Sequence, residues 1–328
     1  MILSRPGGYN SFYQHIVNVT EENKGMENYR KRNLLKYKCY YLLLLPAILY
    51  YLVFNYVTIG GITVAFFDYN IFKGFSGSEW VGLKWFIQLF TLQDFAIVLK
   101  NTVIISFYNI AICFPAPIIL ALMLNDCRNT VFKRIIQTVT YLPHFLSWSI
   151  VAGLVVVMLS PSSGIVNQAI KLLGFEPVYF MVESRYIRGI MVLANLWKSI
   201  GWSTIIYLAA LTNIPQEQYE SAILDGATRF QQTIFVTLPG MSNIIIMTFI
   251  FAVSGLFSVG FEMAYNFITP PTYETGQVIS TYIYNIGIRN LQYSFTTAVG
   301  MAQSLLALLL LAGANKIVKK YNDEAAIW

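Results

Sequence analysis

Six apolar runs separated by polar connections dominate the hydropathy pattern of this chain. They fall near residues 39–63, 102–124, 141–159, 187–211, 244–262 and 295–317. An α-helix needs ~20 apolar residues to cross a hydrocarbon core, so the pattern predicts an all-α integral membrane protein with six transmembrane helices. One such run alone would also suit a buried helix of a soluble core; six in succession do not. The longer connections are 64–100, 160–186 and 263–294. Within 160–186 the stretch GIVNQAIKLLG is amphipathic, with Ile165, Ala169, Leu172 and Leu173 on its apolar side. It predicts a short helix lying on the membrane surface.

A polar island, ESAILDGATRFQQTIFVTLP (220–239), separates the fourth and fifth runs. Asn213 and Pro215 form a helix-start signal, because proline is tolerated in the first helical turn. Gly226 permits positive φ, which predicts helix, tight turn, helix over 213–239. Leu238-Pro239 is expected to close the second helix.

Composition sharpens the membrane reading. The chain is 56% hydrophobic and 12% charged, against roughly 25% charged residues in a soluble domain. Lys and Arg collect before the first run (Arg30, Lys31, Arg32, Lys36, Lys38), between the second and third (Arg128, Lys133, Arg134) and after the last (Lys316, Lys319, Lys320). In the alternate connections acids roughly offset bases, with Arg185 and Arg188 as a mild exception. The bias places both termini and the 220–239 turn in the cytoplasm. The organisation expected is a cytoplasmic tail over 1–38, disordered at its start, a membrane domain over 39–317, and a cytoplasmic tail over 318–328. No cleavable signal is expected, because the first apolar run is too long and begins well inside the chain. Met26, just before the basic cluster, offers an alternative start. The net charge of +6 belongs to this topology; no aromatic-interleaved basic patch points to nucleic acid. Cys39, Cys113 and Cys127 imply no disulfide.

The spacing Glu220-Ser221-Ala222, three residues, Gly226, nine residues, Val236-Thr237-Leu238-Pro239 resembles the signature of permease subunits of binding-protein-dependent ABC importers. Ser221 stands where that family usually has Ala, and Val236 where it has Ile; both are small changes. Trp197-Lys198-x-x-Gly201, Tyr207-Leu208-Ala209-Ala210-Leu211, Asp225-Gly226-Ala227, Ser163-Gly164-Ile165-Val166-Asn167, Thr281-Tyr282 and Ala298-Val299-Gly300 resemble its carbohydrate-uptake branch. That branch holds the oligo- and polysaccharide permeases related to the larger maltose permease subunit, and the likeness runs from about residue 38 onward. The resemblance implies a type I importer fold in the bacterial cytoplasmic membrane. It implies a second homologous permease subunit, two ATPase subunits, an extracellular solute-binding protein and an oligosaccharide substrate. It further implies that ATP-driven closure of the ATPases pulls on the 220–239 turn and switches access to the pore. As docking residues it points to Tyr219, Glu220, Ser221, Ala222, Asp225, Gly226, Ala227, Phe230, Leu238 and Pro239. Glu220 would pair with a partner arginine, while Tyr219, Ile223 and Phe230 would supply apolar anchors. Composition by itself would leave this segment as a solvated loop.

No P-loop is written in the chain, nor a nucleophile elbow, and His15 and His144 cannot build a metal cluster. No cofactor and no catalytic residue are therefore expected, and energy must come from partners or an ion gradient. Within the fourth run, Lys198 costs ~2.5–3.5 kcal/mol at a helix centre and must face a cavity or a partner. It reads either as a substrate contact, hinting at an acidic sugar, or as a structural tie to a carbonyl or acid. Asn195 and Trp202, at offsets of three and four, share its face. Ser258 and Glu262 complete the candidates for the translocation path. Asn109, Ser254, Asn266 and Gln303 are other polar residues in or near the runs, for which helix–helix hydrogen bonding is the simpler role. The rival function is an ion-coupled secondary transporter, which would need buried acids in several spans; the runs contain almost none. A membrane enzyme or scaffold would need clustered His, Asp or Glu.

Overall fold

A computed structural model describes residues 37–321 and 326–327. The expectations for the N-terminal tail, Met26, His15 and the basic cluster Arg30 to Lys36 lie outside the described residues, as does most of the C-terminal tail. The chain divides into two compact units, 1–63 and 64–328. In the first, α1 (Lys38–Tyr51) continues through a π turn (Leu52–Tyr56) and a further helical turn (Val57–Gly60). Its leucine- and tyrosine-rich sequence carries no side-chain cap, as suits a helix whose backbone bonds are all internal.

The second unit opens on a two-residue hairpin, β1 (Phe67–Asp68) antiparallel to β2 (Glu79–Trp80), with Phe67 opposite Trp80. Helix α2 (Lys84–Thr91) follows, and then α3 (Gln93–Tyr108), a π turn (Asn109–Cys113) and α4 (Pro115–Asp126). Gln93–Asp126 forms one 34-residue span. It starts nine residues before the expected boundary, because Asp94 in its first turn complements the helix dipole. At Pro115 and Pro117, where a kink is predicted, the α-helical ladder is interrupted by the π turn and a turn at Phe114, while the span as a whole continues. The π turn just upstream takes up the ladder disruption that the prolines cause.

The third apolar run is broken. Helix α5 (Thr130–Tyr141) and the 3₁₀ turn Leu142–Phe145 meet α6 (Trp148–Met158) at 108°. Pro143 ends the first arm, and the Ser147 hydroxyl caps the second by accepting from the Ile150 N–H at 3.3 Å. Helix α7 (Ile165–Leu172) is the expected amphipathic segment, with Ile165, Leu172 and Leu173 all exposed. Buried Asn167 anchors it by donating to the carbonyls of Leu159, Ser160 and Val178 and accepting from the Val178 N–H.

Helix α8 (Ser184–Thr212, 29 residues) is the central element. Among the described residues, three helices are long and apolar enough to cross a membrane, or five if each bent pair is one span. The long α8 is not among them, because Asn195, Lys198 and a series of serines and threonines lower its hydropathy. It packs closely on α5 at Gly201, where an added Cβ would lie 2.2 Å from the Thr140 carbonyl oxygen and 2.4 Å from its carbon. Backbone cannot yield there cheaply, so Gly201→Ala is expected to cost about 1–3 kcal/mol through overpacking. The check is the melting temperature of the detergent-solubilised protein; an unchanged value would contradict the close crossing.

After α8 come α9 (Gln216–Leu224), α10 (Arg229–Gln232), a π turn (Thr233–Thr237) and a final helical turn, Leu238–Gly240. The helix therefore passes through Pro239 instead of closing there, and the break comes at Met241. Beyond a 65° bend lie α11 (Ser242–Ser254) and the 3₁₀ turn Gly255–Phe257. The fifth apolar run is thus helical only to Phe257, five residues short of its expected end. Residues 258–260 are unwound before α12 (Phe261–Phe267). Helix α13 (Ile279–Ile283), a π turn (Tyr284–Arg289) and α14 (Tyr293–Tyr321) complete the chain.

Three apolar clusters hold the second unit together. One gathers Ile105, Val151, Met191 and Phe267, a second Phe95, Tyr282 and Phe295, and a third Ile118, Tyr207 and Met241. Between membrane helices such clusters stabilise by close packing, since lipid is as apolar as the side chains. Polar ties add direction. Arg188 donates to the Thr275 carbonyl at 2.9 Å and to Asn101 Oδ1 at 2.7 Å, and Asn101 donates to the carbonyls of Glu274 and Gln277. Its departure from the charge bias thus has a structural cause: the guanidinium joins α3, α8 and the 273–277 segment.

Candidate functional site

The 220–239 turn is a fully capped helix pair. The Ala227 N–H donates to the Ala222 carbonyl at 2.9 Å, and the Gly226 N–H to the Ile223 carbonyl at 3.0 Å. This is the paired bonding of a Schellman ending, and it places Gly226 at φ +79°, where a side chain is strained. Thr228 then opens α10 with a reciprocal capping box to Gln231. Buried Gln232 donates to the Ala227 carbonyl, and the Tyr219 hydroxyl bonds the Thr237 hydroxyl at 3.1 Å. The two helices are thereby locked to each other.

This locking sorts the candidate residues. Tyr219, Ala222, Ala227 and Leu238 are half-buried and hold the turn together, whereas Glu220, Ser221, Asp225, Gly226, Phe230 and Pro239 are exposed. Tyr219 is therefore an internal strut and not an outward anchor. The outward apolar groups are Leu224 at 88% exposure, Phe230 and Phe235 at 74%, and Ile223 at 55%. Leu224 and Phe235 were not among the expected residues; their signal was apolar positions out of phase with the buried face. Beside the pair lies a cleft of about 780 Å³ whose walls include Arg128 and Arg229. Among the described residues neither arginine has a carboxylate within ion-pair distance.

A second feature lies between the helices of the second unit. A cavity of about 630 Å³ is walled by Ser106 and Asn109 of the second span, Asn195, Ser199, Ser203 and Tyr207 of α8, Thr248 of α11, and the unwound 258–260 segment. Asn195 donates to Asn109 Oδ1 at 2.9 Å, and the hydroxyls of Tyr207 and Thr248 bond at 3.0 Å. Among the described residues, no Asp, Glu, Lys or Arg lines this space. The polar part of the wall is amide and hydroxyl; Ile110, Ile206 and Met263 add aliphatic surface, and Trp148, Phe114 and Phe251 aromatic surface. Irregular backbone at membrane depth is tolerated where it borders such a cavity, and 258–260 does so.

Of the path candidates, Asn195 and Ser258 line the cavity, while Lys198, Trp202 and Glu262 do not. The Lys198 ammonium donates to the carbonyls of His144 at 2.7 Å and Leu146 at 2.6 Å. Both belong to the broken corner between α5 and α6, whose freed carbonyls have no helical donor. Trp202 stacks on His144 with centroids 4.4 Å apart, packing against the same corner. Glu262 is exposed in the first turn of α12, and its carbonyl accepts from Asn266. Gln303 donates to the Phe257 carbonyl at the end of the fifth span, a helix–helix tie.

Comparison with known proteins agrees with this architecture. The model of the family described as binding-protein-dependent transport system inner membrane component matches residues 114–321. The polygalacturonan/rhamnogalacturonan transport system permease protein YteP of Bacillus subtilis (strain 168) is 42% identical over 298 residues, covering 90% of this chain and 93% of that one. A solved bacterial ABC transporter involved in import of the acidic polysaccharide alginate superposes with a TM-score of 0.82 at 37% identity, covering 89% of this chain and 98% of that chain. A bacterial alginate ABC transporter in complex with alginate pentasaccharide-bound periplasmic protein gives a TM-score of 0.81 at 37% identity, covering 88% and 97%. The chain belongs to the binding-protein-dependent transport system inner membrane component family, and is a multi-pass permease of the cytoplasmic membrane with the type I ABC importer fold.

Proposed function

We propose that the chain is one of two homologous permease subunits of an ATP-driven oligosaccharide importer. In this reading two ATPase subunits dock on the cytoplasmic 220–239 turns, and an extracellular solute-binding protein delivers substrate. The membrane domain spans 39–317, with both tails cytoplasmic. The observation that carries the reading is the locked helix pair, which turns Leu224, Phe230 and Phe235 outward. Apolar groups on so rigid a support are suited to transmit force to a partner, because the internal bonds leave the pair little freedom to yield. Arg128 and Arg229 would meet partner carboxylates beside it.

For cargo, the cavity favours a polyhydroxylated ligand. Amides and hydroxyls match sugar hydroxyls, and aromatic surface packs on pyranose C–H faces. The acidic character of the substrates named for the permease YteP and the alginate transporter supports an acidic oligosaccharide. A wall without carboxylates would not repel one. The committed ammonium of Lys198 adds nothing to that preference. An ion-coupled mechanism lacks the intramembrane acids it would need.

Proteoliposomes holding the assembled transporter should import labelled trigalacturonate only with ATP, the binding protein and catalytically intact ATPase subunits. Uptake driven by an ion gradient after ATPase inactivation would overturn this reading.

A further inference from the structure

A polar pocket of about 240 Å³ lies where α12, the 273–277 segment and the π turn 284–289 meet. None of its residues lines the central cavity. Tyr265, Tyr273, Gln277, Asn285 and Arg289 contribute to its wall. Among the described residues, the first four make no side-chain hydrogen bond, and no carboxylate lies within ion-pair distance of Arg289. Four hydrogen-bonding groups and a guanidinium thus converge on one space without satisfying each other.

The support of these groups is ordered. The Arg289 guanidinium lies over the Tyr284 ring at 5.7 Å, a cation–π contact that holds the charge in place. Tyr284 packs on Tyr265 at 5.4 Å and on Phe261 at 5.1 Å, forming a continuous aromatic patch. The π turn brings Asn285 and Arg289 to the same pocket, and such turns concentrate at functional sites. Its end is strained: Leu291 has φ +59°, in the left-handed region that costs an L residue ~1–2 kcal/mol. Strain of this kind persists where the surroundings over-determine it, often at ligand clamps.

We propose that this pocket is a second saccharide subsite, on the outward side, that takes one carboxylate-bearing pyranose unit. Arg289 pairs with the sugar carboxylate through its planar fork. Gln277 and Asn285 bond ring hydroxyls, and Tyr265, the member of the aromatic patch that lines the pocket, receives a C–H face. The volume lies below the roughly 300–1,000 Å³ that encloses a whole drug-sized ligand, so the site holds one end of a chain whose remainder reaches beyond it. An arginine with no carboxylate within ion-pair distance among the described residues is better matched to an acidic sugar than to a neutral one, which could use only its hydrogen bonds. The proposal rests on the importer reading above and on the outward placement of 261–292.

The test uses the complete transporter in nanodiscs without binding protein, probed by saturation-transfer NMR with trigalacturonate and its methyl ester. The described residues that line the central cavity carry no formal charge, so that cavity does not prefer the acid to the ester, and the Arg289 variants assign the difference. Wild type should bind the acid roughly tenfold more tightly than the ester, the size expected for one charge-assisted bond. Arg289→Gln should erase that difference, and Arg289→Lys, which keeps the charge without the fork, should fall between. Arg289 is exposed, so all three proteins should share one melting temperature. An acid preference unchanged in Arg289→Gln overturns the subsite. In a parallel pull-down with the binding protein added, an Arg289→Gln protein that loses that association while keeping its acid preference overturns the subsite as well and assigns the pocket to protein docking. Failure of wild type to import any saccharide is a different result and strikes the importer reading itself.

Discussion

Gly226→Asp is expected to abolish uptake while leaving membrane insertion and the level of folded protein unchanged. The added Cβ meets nothing within 4 Å, so no clash inside this chain opposes it. The φ of +79° disfavours a side chain, but aspartate is among the few residues that visit this region locally, and the strain is bounded by ~1–2 kcal/mol. What changes is the tip of the turn. A side chain and a negative charge now project into the space a partner must occupy, beside exposed Glu220 and Asp225. Gly226→Asn adds similar bulk without charge and should retain partial uptake. Glu220→Lys, which reverses an exposed charge and touches no internal bond, should resemble Gly226→Asp. The decisive measurement is co-purification with the ATPase subunits. Normal association in Gly226→Asp would sink the docking assignment.

Lys198→Met is expected to destabilise the protein and, as a consequence, cut uptake by more than tenfold. The ammonium satisfies two carbonyls at the broken corner of the third run. Methionine fills a similar volume but donates nothing, leaving the carbonyls of His144 and Leu146 without their donor. An unsatisfied buried acceptor costs ~1–3 kcal/mol, and the half-buried position of Lys198 puts the pair at about 2–3 kcal/mol in total. Lys198→Gln keeps an amide donor and should lie between. The melting temperature separates the two roles considered for this residue. A structural tie lowers it in Lys198→Met, whereas a substrate contact would reduce uptake with melting unchanged.

The contrast between these residues explains what was legible in the sequence. Gly226 could be read directly, since of the residues of that motif glycine takes a left-handed position between two helices with the least strain. The helix–turn–helix of 220–239 was legible by spacing, but the division of its residues into buried and exposed was not. Tyr219 turns inward because a threonine eighteen positions later meets its hydroxyl. That encounter needs the two helices folded back on each other.

Lys198 shows the same limit inside the membrane. Its insertion cost announces that a partner must exist. The partners are backbone carbonyls, which every residue carries and no side chain advertises. The corner that frees them was passed over too: Pro143 and Ser147 are a stop and a start signal, but they lie inside one apolar run, and mean hydropathy does not register backbone direction. Likewise Ser258 was visible as a polar residue in an apolar run, while the unwinding around it was not.

Composition and local pattern by themselves determined the membrane environment, the approximate position of each apolar run and the double helix of the 220–239 turn. These depend on transfer free energy and backbone preference, which are properties of a residue and its near neighbours. Tertiary structure alone decided that Lys198 binds a corner instead of the cavity. It also brought Asn109 to Asn195, Arg188 to Asn101, and Arg289 into a pocket with Gln277. Each of these contacts joins positions remote in the chain or atoms common to all residues, so its energy exists only after the helices have packed.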